Sequence, residues 1–379
     1  MMFGNLMIPG LIAVGVFLVS LICTCVILNL APILGLVKSP TNRCSHVMPT
    51  PRGGGVSFVV SSLIAFSILY FSGSISGPVI PVILAGGTLI AALGFWDDLH
   101  NVPVRYRLVA QAAIVAASVY ALSPLPALEF WGFNLNVSWF TWGIATFALI
   151  WWLNLYNFMD GIDGLAGGEA TSILVAATLL ISLKTASFEA TEQILMLLLT
   201  VALLGFMALN WPPAKIFMGD VGSTYLGYML GMLALTSLCS GSLNLWVWLI
   251  IPAVFWVDAT FTLLRRMIRR DCWYQAHQSH AYQRLSRFLE ETRPGSHTRH
   301  RAHRKVSLGM LCINIGWLFP LSVVALYWPA WGLLTVAAAW TPLVLLAASC
   351  GAGKPGNIEQ RHQKHSKNVE FQEGVSLEV

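Results

Sequence analysis

Runs of roughly 18 or more apolar residues recur along this chain, and they restrict its fold more than any other feature. They lie at 8–30, 55–72, 79–95, 107–122, 138–155, 168–183, 193–210, 222–240, 245–264, 306–328 and 331–349. Each is about as long as a helix needs to cross the hydrocarbon core of a bilayer. They are too long and too many for buried core helices, and they lack the apolar–polar alternation of a membrane barrel. Only 10% of the residues are charged, against about 25% in a soluble domain. The expected fold class is therefore all-α: a polytopic membrane protein with about eleven transmembrane helices.

The basic residues set an orientation. All but one of the 22 Lys and Arg residues lie between spans 1 and 2, 3 and 4, 7 and 8, or 9 and 10, or in the C-terminal tail; Lys184 alone falls on the other side. The positive-inside rule places those loops and the C-terminus in the cytoplasm, with the N-terminus outside. The opening "MMFGNLMIPG" has no basic residue and leads into a long apolar run, which reads as a retained span rather than a cleaved leader. The organisation expected is one integral membrane domain over 1–349, with a large basic cytoplasmic loop at 265–305 inside it. A polar, loosely ordered tail follows over 350–379. The net charge of +5 is concentrated in the 265–305 loop. Anionic lipid heads or an anionic substrate are its natural partners, and nucleic acid is not. Seven cysteines without a CxxC pair imply neither a disulfide framework nor a zinc site. No G-x-x-x-x-G-K-[ST] occurs, so ATP is not implied.

The acids are placed selectively. Asp97 and Asp98 end span 3 in "GFWDDLHN", Asp160 and Asp163 follow span 5 in "NLYNFMDGIDGLAGGEA", and Asp220 opens span 8 in "KIFMGDVGST". On the topology above all five reach the cytoplasmic face. Five carboxylates at one membrane depth repel one another, so a site that gathers them calls for a cation. An oxygen-rich site of one or two carboxylates, completed by waters and substrate phosphates, suits magnesium, or manganese in its place. The neighbouring glycines let backbone approach a ligand. Asp258, inside span 9, fits either a functional acid or a helix-to-helix hydrogen bond.

In the basic loop, "HQSHAYQRLSR" offers His277, His280 and Arg284, donors suited to a pyrophosphate, although a solvated lipid-facing loop explains most of its charge equally well. His297, His300 and His303 have H-x-x-H-x-x-H spacing. With Arg and Thr as neighbours and no acid or Cys nearby in sequence, they read as a solvated basic face. The first loop, "LVKSPTNRCSHVMPTPRGGGVSF", is turned by its prolines and glycines and carries Lys38, Arg43, His46 and Arg52.

Three motifs in this order carry a resemblance. "DDLHN" (97–101), "NFMDGIDGLAGG" (157–168) and "FMGDVGS" (217–223) resemble the signatures of the polyprenyl-phosphate N-acetylhexosamine-1-phosphate transferases. "PTPRGGG" is similar to that family's first-loop element and "HQSH" to its histidine box, so the likeness spans about 30–305. It implies transfer of a sugar phosphate from a UDP-N-acetylhexosamine to undecaprenyl phosphate in the bacterial inner membrane, with magnesium. It also leaves room for a homodimer. Carried over by motif, Asp98 and Asp220 would be metal ligands with Asn157 beside them, and Asp97 would orient or deprotonate the lipid phosphate. Asp160 would position donor or metal. Asp163 and Gly164 would line the nucleotide pocket, and Phe217 would stack on uracil, although an aromatic beside a span is also an ordinary interface anchor. His277, His280 and Arg284 would grip the diphosphate, with Arg52 and His46 as further substrate contacts. Peptidoglycan members carry a first-loop sequence with Lys and Thr before the Pro and a His-His-His-type box, where this chain has "HVMPTPRGGG" and "HQSH". That favours the O-antigen or lipopolysaccharide-initiating branch, with a 6-deoxy sugar such as N-acetylfucosamine or N-acetylquinovosamine among the candidates.

Two other functions fit a membrane protein with acids at its helix ends. An intramembrane prenyltransferase also uses Asp-rich motifs, but typically two DDxxD-like ones, and here there is one DDxxN. An ion-coupled transporter places its acids near the midplane of an internal repeat, and no repeat of these motifs occurs.

Overall fold

A computed structural model describes residues 2–38, 50–125, 128–130, 133–135, 138–187, 190–271, 277–292 and 298–355. The chain is helical almost throughout. The helices are α1 (Met2–Leu30), α2 (Gly55–Phe71), α3 (Val79–His100), α4 (Val104–Ala121), α5 (Ser138–Met159), α6 (Leu165–Thr185) and α7 (Thr191–Asn210). They continue with α8 (Gly219–Cys239), α9 (Leu245–Ile250), α10 (Ala253–Ile268), α11 (Ala281–Glu291), α12 (Thr298–Ile313), α13 (Phe319–Tyr327) and α14 (Gly332–Ser349). Two short antiparallel ladders complete the described elements. Val37–Lys38 pairs with Thr50–Pro51, and Leu128–Phe130 pairs with Phe133–Leu135.

Every one of the eleven apolar segments falls on helix. Among the described residues, seven helices are long and apolar enough to cross a bilayer: α1, α3, α6, α7, α8, the α12–α13 run and α14; α2 is apolar but shorter. With the relatives described below, this makes the chain a multi-pass membrane protein. Two segments differ in detail from the sequence reading. Span 9 is two helices, because the backbone turns at Ile251–Pro252 and Pro252 has no N–H to continue the ladder. Span 10 starts earlier, at Thr298, and contains a π-helical turn at Asn314–Leu318. The supposed loop at 265–305 is thus largely helix, comprising the end of α10, α11 and the first half of α12.

α8 is the central helix, packed between α3 and α5 and touching α2. Its small residues allow this. A Cβ on Gly55 of α2 would lie 2.4 Å from the Cα of Gly222, the small-residue contact by which membrane helices approach closely. Buried hydroxyls find partners between helices: Tyr225 with Ser62 at 2.8 Å and Tyr228 with Ser118 at 2.9 Å. The helix ends sort onto two faces. On one, Lys184 donates to the Gly241 carbonyl, Tyr327 to Leu183 and Asn244 to Ala325. Asp163 and Asp220 are at the other ends of α6 and α8, and Asp98, at the end of α3, is hydrogen-bonded to the start of α8.

Candidate active site

The site is assembled by backbone amides and carboxylates that stitch helix ends together. Both oxygens of Asp98, at the end of α3, accept from α8's first turn, from the Asp220 and Val221 amides at 3.0 Å each. These amides have no partner within the helix, and the positive end of the dipole favours the carboxylate. Asp98 therefore fixes where Asp220 points. Asn157, from the last turn of α5, donates to Asp220 Oδ1 and to Ser223 Oγ, both at 2.8 Å. The end of the first loop is sewn to the same place. Phe217 donates its amide to Pro51 O, and Gly54 and Gly55 donate to the carbonyls of Phe217 and Met218.

Arg107 of α4 pairs with Asp97 and reaches to 3.7 Å from Asp220. Asp97 also accepts from the Val102 amide at 2.7 Å. One guanidinium thus neutralises part of a cluster whose members would otherwise repel.

The turn between α5 and α6 carries Asp160 and Asp163, in opposite circumstances. Among the described residues no hydrogen bond or ion pair reaches the Asp160 carboxylate. Burial, then Asp220, raises its pKa to about 7, while the charge of Arg52 works in the opposite sense. Asp163 is 2% exposed and fully engaged. It accepts from the Ala214 amide at 3.1 Å and faces His300 Nδ1 at 3.4 Å and His303 Nδ1 at 3.3 Å, and its carbonyl accepts from Ser307 Oγ. Gly164, at φ +70°, turns the chain into α6, where a Cβ would meet Pro212 at 2.9 Å. Its amide donates to Asn210 Oδ1.

His303, fully buried, is therefore not part of a solvated face, while His300, its side chain 42% exposed, also turns toward Asp163. The acids His303 meets are Asp163, 140 residues away in sequence, and, 3.8 Å from Nε2, Glu290, 13 residues away. The three-residue spacing that puts the two histidines on one face of α12 was the available signal, but the partner was not visible.

The "HQSH" stretch precedes α11 as an irregular segment with bends at Gln278 and His280. His280 is 1% exposed, with Nδ1 3.7 Å from Asp258. His277 accepts or donates at Ser279 Oγ, and burial, with His280 and Arg266 nearby, lowers its pKa to about 2. Burial thus disfavours its charged form. Arg284 turns away to the Lys354 and Pro355 carbonyls. With Gly353 donating to Ser279 O and Arg265 to Ala352 O, the start of the tail is docked against α10 and α11. Asp258 is settled as the acceptor for the first amides of α11, Ala281 at 2.8 Å and Tyr282 at 3.1 Å. Tyr282 in turn reaches the catalytic side, donating to Phe158 O at 3.2 Å.

Of the residues expected in a site, Asp97, Asp98, Asn157, Asp160 and Asp220 are brought together, with Arg52 near Asp160 and Phe217 half-buried at the entrance to α8. His46, with Arg43 and His297, lies outside the described residues. Arg107 and Tyr282 are the additions. Both were legible only as a loop cation and a loop aromatic.

Among the described residues no three His, Cys, Asp or Glu side chains form a closed metal cage. The donor set suits magnesium rather than a metal that demands such a cage. Among the described residues no hydrogen bond or ion pair engages the Asp160 carboxylate, and the Asp220 side chain is 34% exposed. Two hard oxygen donors open on one side leave the remaining positions to water and substrate phosphates.

Comparison with known proteins agrees with this geometry. Residues 80–238 match the model of glycosyl transferase family 4. A probable undecaprenyl-phosphate N-acetylglucosaminyl 1-phosphate transferase of Bacillus subtilis is 28% identical over 278 residues, covering 72% of this chain and 75% of that protein. The phospho-N-acetylmuramoyl-pentapeptide-transferase of Lactococcus lactis subsp. cremoris is 32% identical, over 57% of this chain and 67% of its own length. The decaprenyl-phosphate N-acetylglucosaminephosphotransferase of Mycolicibacterium smegmatis is 29% identical, over 62% and 64%. The matched stretch contains the carboxylate cluster itself, and the chain belongs to the polyprenyl-phosphate hexosamine-1-phosphate transferases of glycosyl transferase family 4.

Proposed function

We propose that this protein transfers an N-acetylhexosamine-1-phosphate from a UDP-sugar to undecaprenyl phosphate, releasing UMP, at the cytoplasmic face of a bacterial inner membrane. One observation carries the reading. Three helix ends converge on an open pair of carboxylates, Asp160 and Asp220, flanked by Arg107 and Arg52. A lipid-phosphate oxygen attacks the sugar-bearing phosphorus of the donor. The bond to the bridging oxygen breaks, and that oxygen leaves with UMP. The phosphate is already largely ionised at neutral pH, so no strong base is required. Magnesium held by Asp160 and Asp220, with Asp98 behind them, would draw together the two anionic substrates and stabilise the departing phosphate. Arg107 holds Asp97 and Asp220 in place and adds fixed positive charge. Asn157 orients Asp220.

The finer reading rests on sequence: eleven crossings with the N-terminus outside, and a role in initiating O-antigen or another surface polysaccharide. The relatives include enzymes named for peptidoglycan and for N-acetylglucosamine chemistry. The first loop and "HQSH" separate this chain from the peptidoglycan pattern. The test is UMP release by the purified full-length protein with magnesium, undecaprenyl phosphate and a panel of UDP-N-acetylhexosamines. Release that requires both the lipid and one sugar supports the transferase and names its donor. Absence of UMP with folded protein and every donor refutes it, and pyrophosphate release from a prenyl diphosphate would favour a prenyltransferase.

A further inference from the structure

Helix α12 meets α6 at two levels. Near the site, His303 and Ser307 contact Asp163. Deeper in the helix bundle, Asn314, the first residue of the π turn, donates its amide to Glu169 Oε2 at 2.6 Å and to Ser172 Oγ at 2.7 Å. Ser172 Oγ in turn donates to the Glu169 carbonyl at 2.9 Å. Glu169 is 0% exposed and Asn314 6%. The other oxygen of each group, Glu169 Oε1 and Asn314 Oδ1, has no hydrogen-bond partner. Among the described residues no cation pairs with Glu169; Tyr156 is the titratable group that senses it from α5, and its hydroxyl is spent on the Ala166 carbonyl.

An ionised Glu169 would leave these two acceptor oxygens unsatisfied and, among the described residues, a charge without a counter-ion, which an apolar interior strongly disfavours. One proton removes both difficulties. Placed on Oε1, it donates to Asn314 Oδ1, while Asn314 Nδ2 already donates to Oε2. The two planar groups then close a ring with two parallel hydrogen bonds. We propose that Glu169 is a neutral carboxylic acid locked in an acid–amide ring with Asn314, and that this ring positions the Asp160–Gly164 turn by fixing the register of α12 against α6. Glu169 is a positioning residue, acting through α12, whose preceding turns carry His303 and Ser307. A π turn at this point fits the role, since such turns concentrate where a helix must present particular side chains.

The test compares full-length E169Q, E169L and N314L with the wild type. A glutamine at 169 keeps both bonds as an amide–amide ring. Its thermal midpoint is therefore expected to match the wild type's, and its KM for the UDP-sugar to lie within about twofold of it. The infrared difference spectrum, wild type minus E169Q, is expected to show the carbonyl stretch of a protonated carboxyl at neutral pH. E169L and N314L lose the ring, and a rise in KM of about fivefold or more is expected, with kcat changing less. Absence of a protonated-carboxyl band, or an E169Q protein as unstable as E169L, overturns the ring. An unchanged KM in folded E169L and N314L overturns the positioning role. The spectrum and the midpoint do not depend on the transferase reading, so failure of the ring and failure of the proposed reaction remain distinguishable.

Discussion

Replacing Asp163 by alanine probes the contact that sequence reading missed. The carboxylate is buried to 2% exposure and receives the Ala214 amide at 3.1 Å, with His303, at 0% exposure, 3.3 Å from its other oxygen. Removing it strands at least one backbone N–H and one imidazole face. Each stranded buried group costs about 1–3 kcal/mol, so the variant is expected to lose roughly 2–5 kcal/mol. Scaled by the unfolding entropy of a 379-residue chain, that lowers the thermal midpoint by roughly 3–6 °C. Asparagine can still accept from Ala214, so Asp163→Asn is expected to lose about half as much. The assay is intrinsic-fluorescence melting of the detergent-solubilised protein for Asp163→Ala, His303→Ala and the double variant. Because the two side chains share one contact, the double variant should be less destabilised than the sum of the singles by about 1–3 kcal/mol. Strict additivity, or a wild-type midpoint for Asp163→Ala, would refute the buried pair.

Three further outcomes follow from the site. Fewer protons should leave D160N than the wild type when magnesium binds near pH 7, because burial and then Asp220 raise the pKa of Asp160 to about 7. Without a cation, its folded pKa lies above the unfolded value. Wild-type stability relative to D160N should then fall as pH rises from about 4 to about 7 and level off above, as melting across that range would show. Asp258→Ala removes the acceptor for the first two amides of α11 and is expected to cost about 1–2 kcal/mol, read as a lower midpoint and faster proteolysis within 281–291. Arg107→Ala should reduce transfer on the order of 10²-fold, and Arg107→Lys should recover only part of it because one point charge cannot replace the fork; wild-type turnover in either would remove Arg107 from the site.

The local properties of the chain were legible. Long apolar runs can satisfy their backbone in lipid only as helix, so each segment appears as one, and the Asp-rich and Gly-rich junctions between them appear as the helix ends of the site. Gly164 shows the same agreement, since the turn it makes permits no side chain. Local pattern also misled. His303 looked solvated because the acids it meets, Asp163 and Glu290, lie 140 and 13 residues away, and the burial of His280 was not readable from "HQSH".

By itself, then, the sequence determined that this is a helical membrane protein of a sugar-phosphate transferase family, and which aspartates stand at its helix ends. Periodicity, apolar length and motif order are properties of neighbouring residues. Tertiary structure alone decided what each acid does. Asp98 caps α8, Asp258 caps α11, Asp163 is enclosed by histidines, and the Asp160 carboxylate is engaged by no hydrogen bond or ion pair among the described residues. A carboxylate's role is set by the donors and the dielectric around it, and both are supplied by helices far apart in the chain.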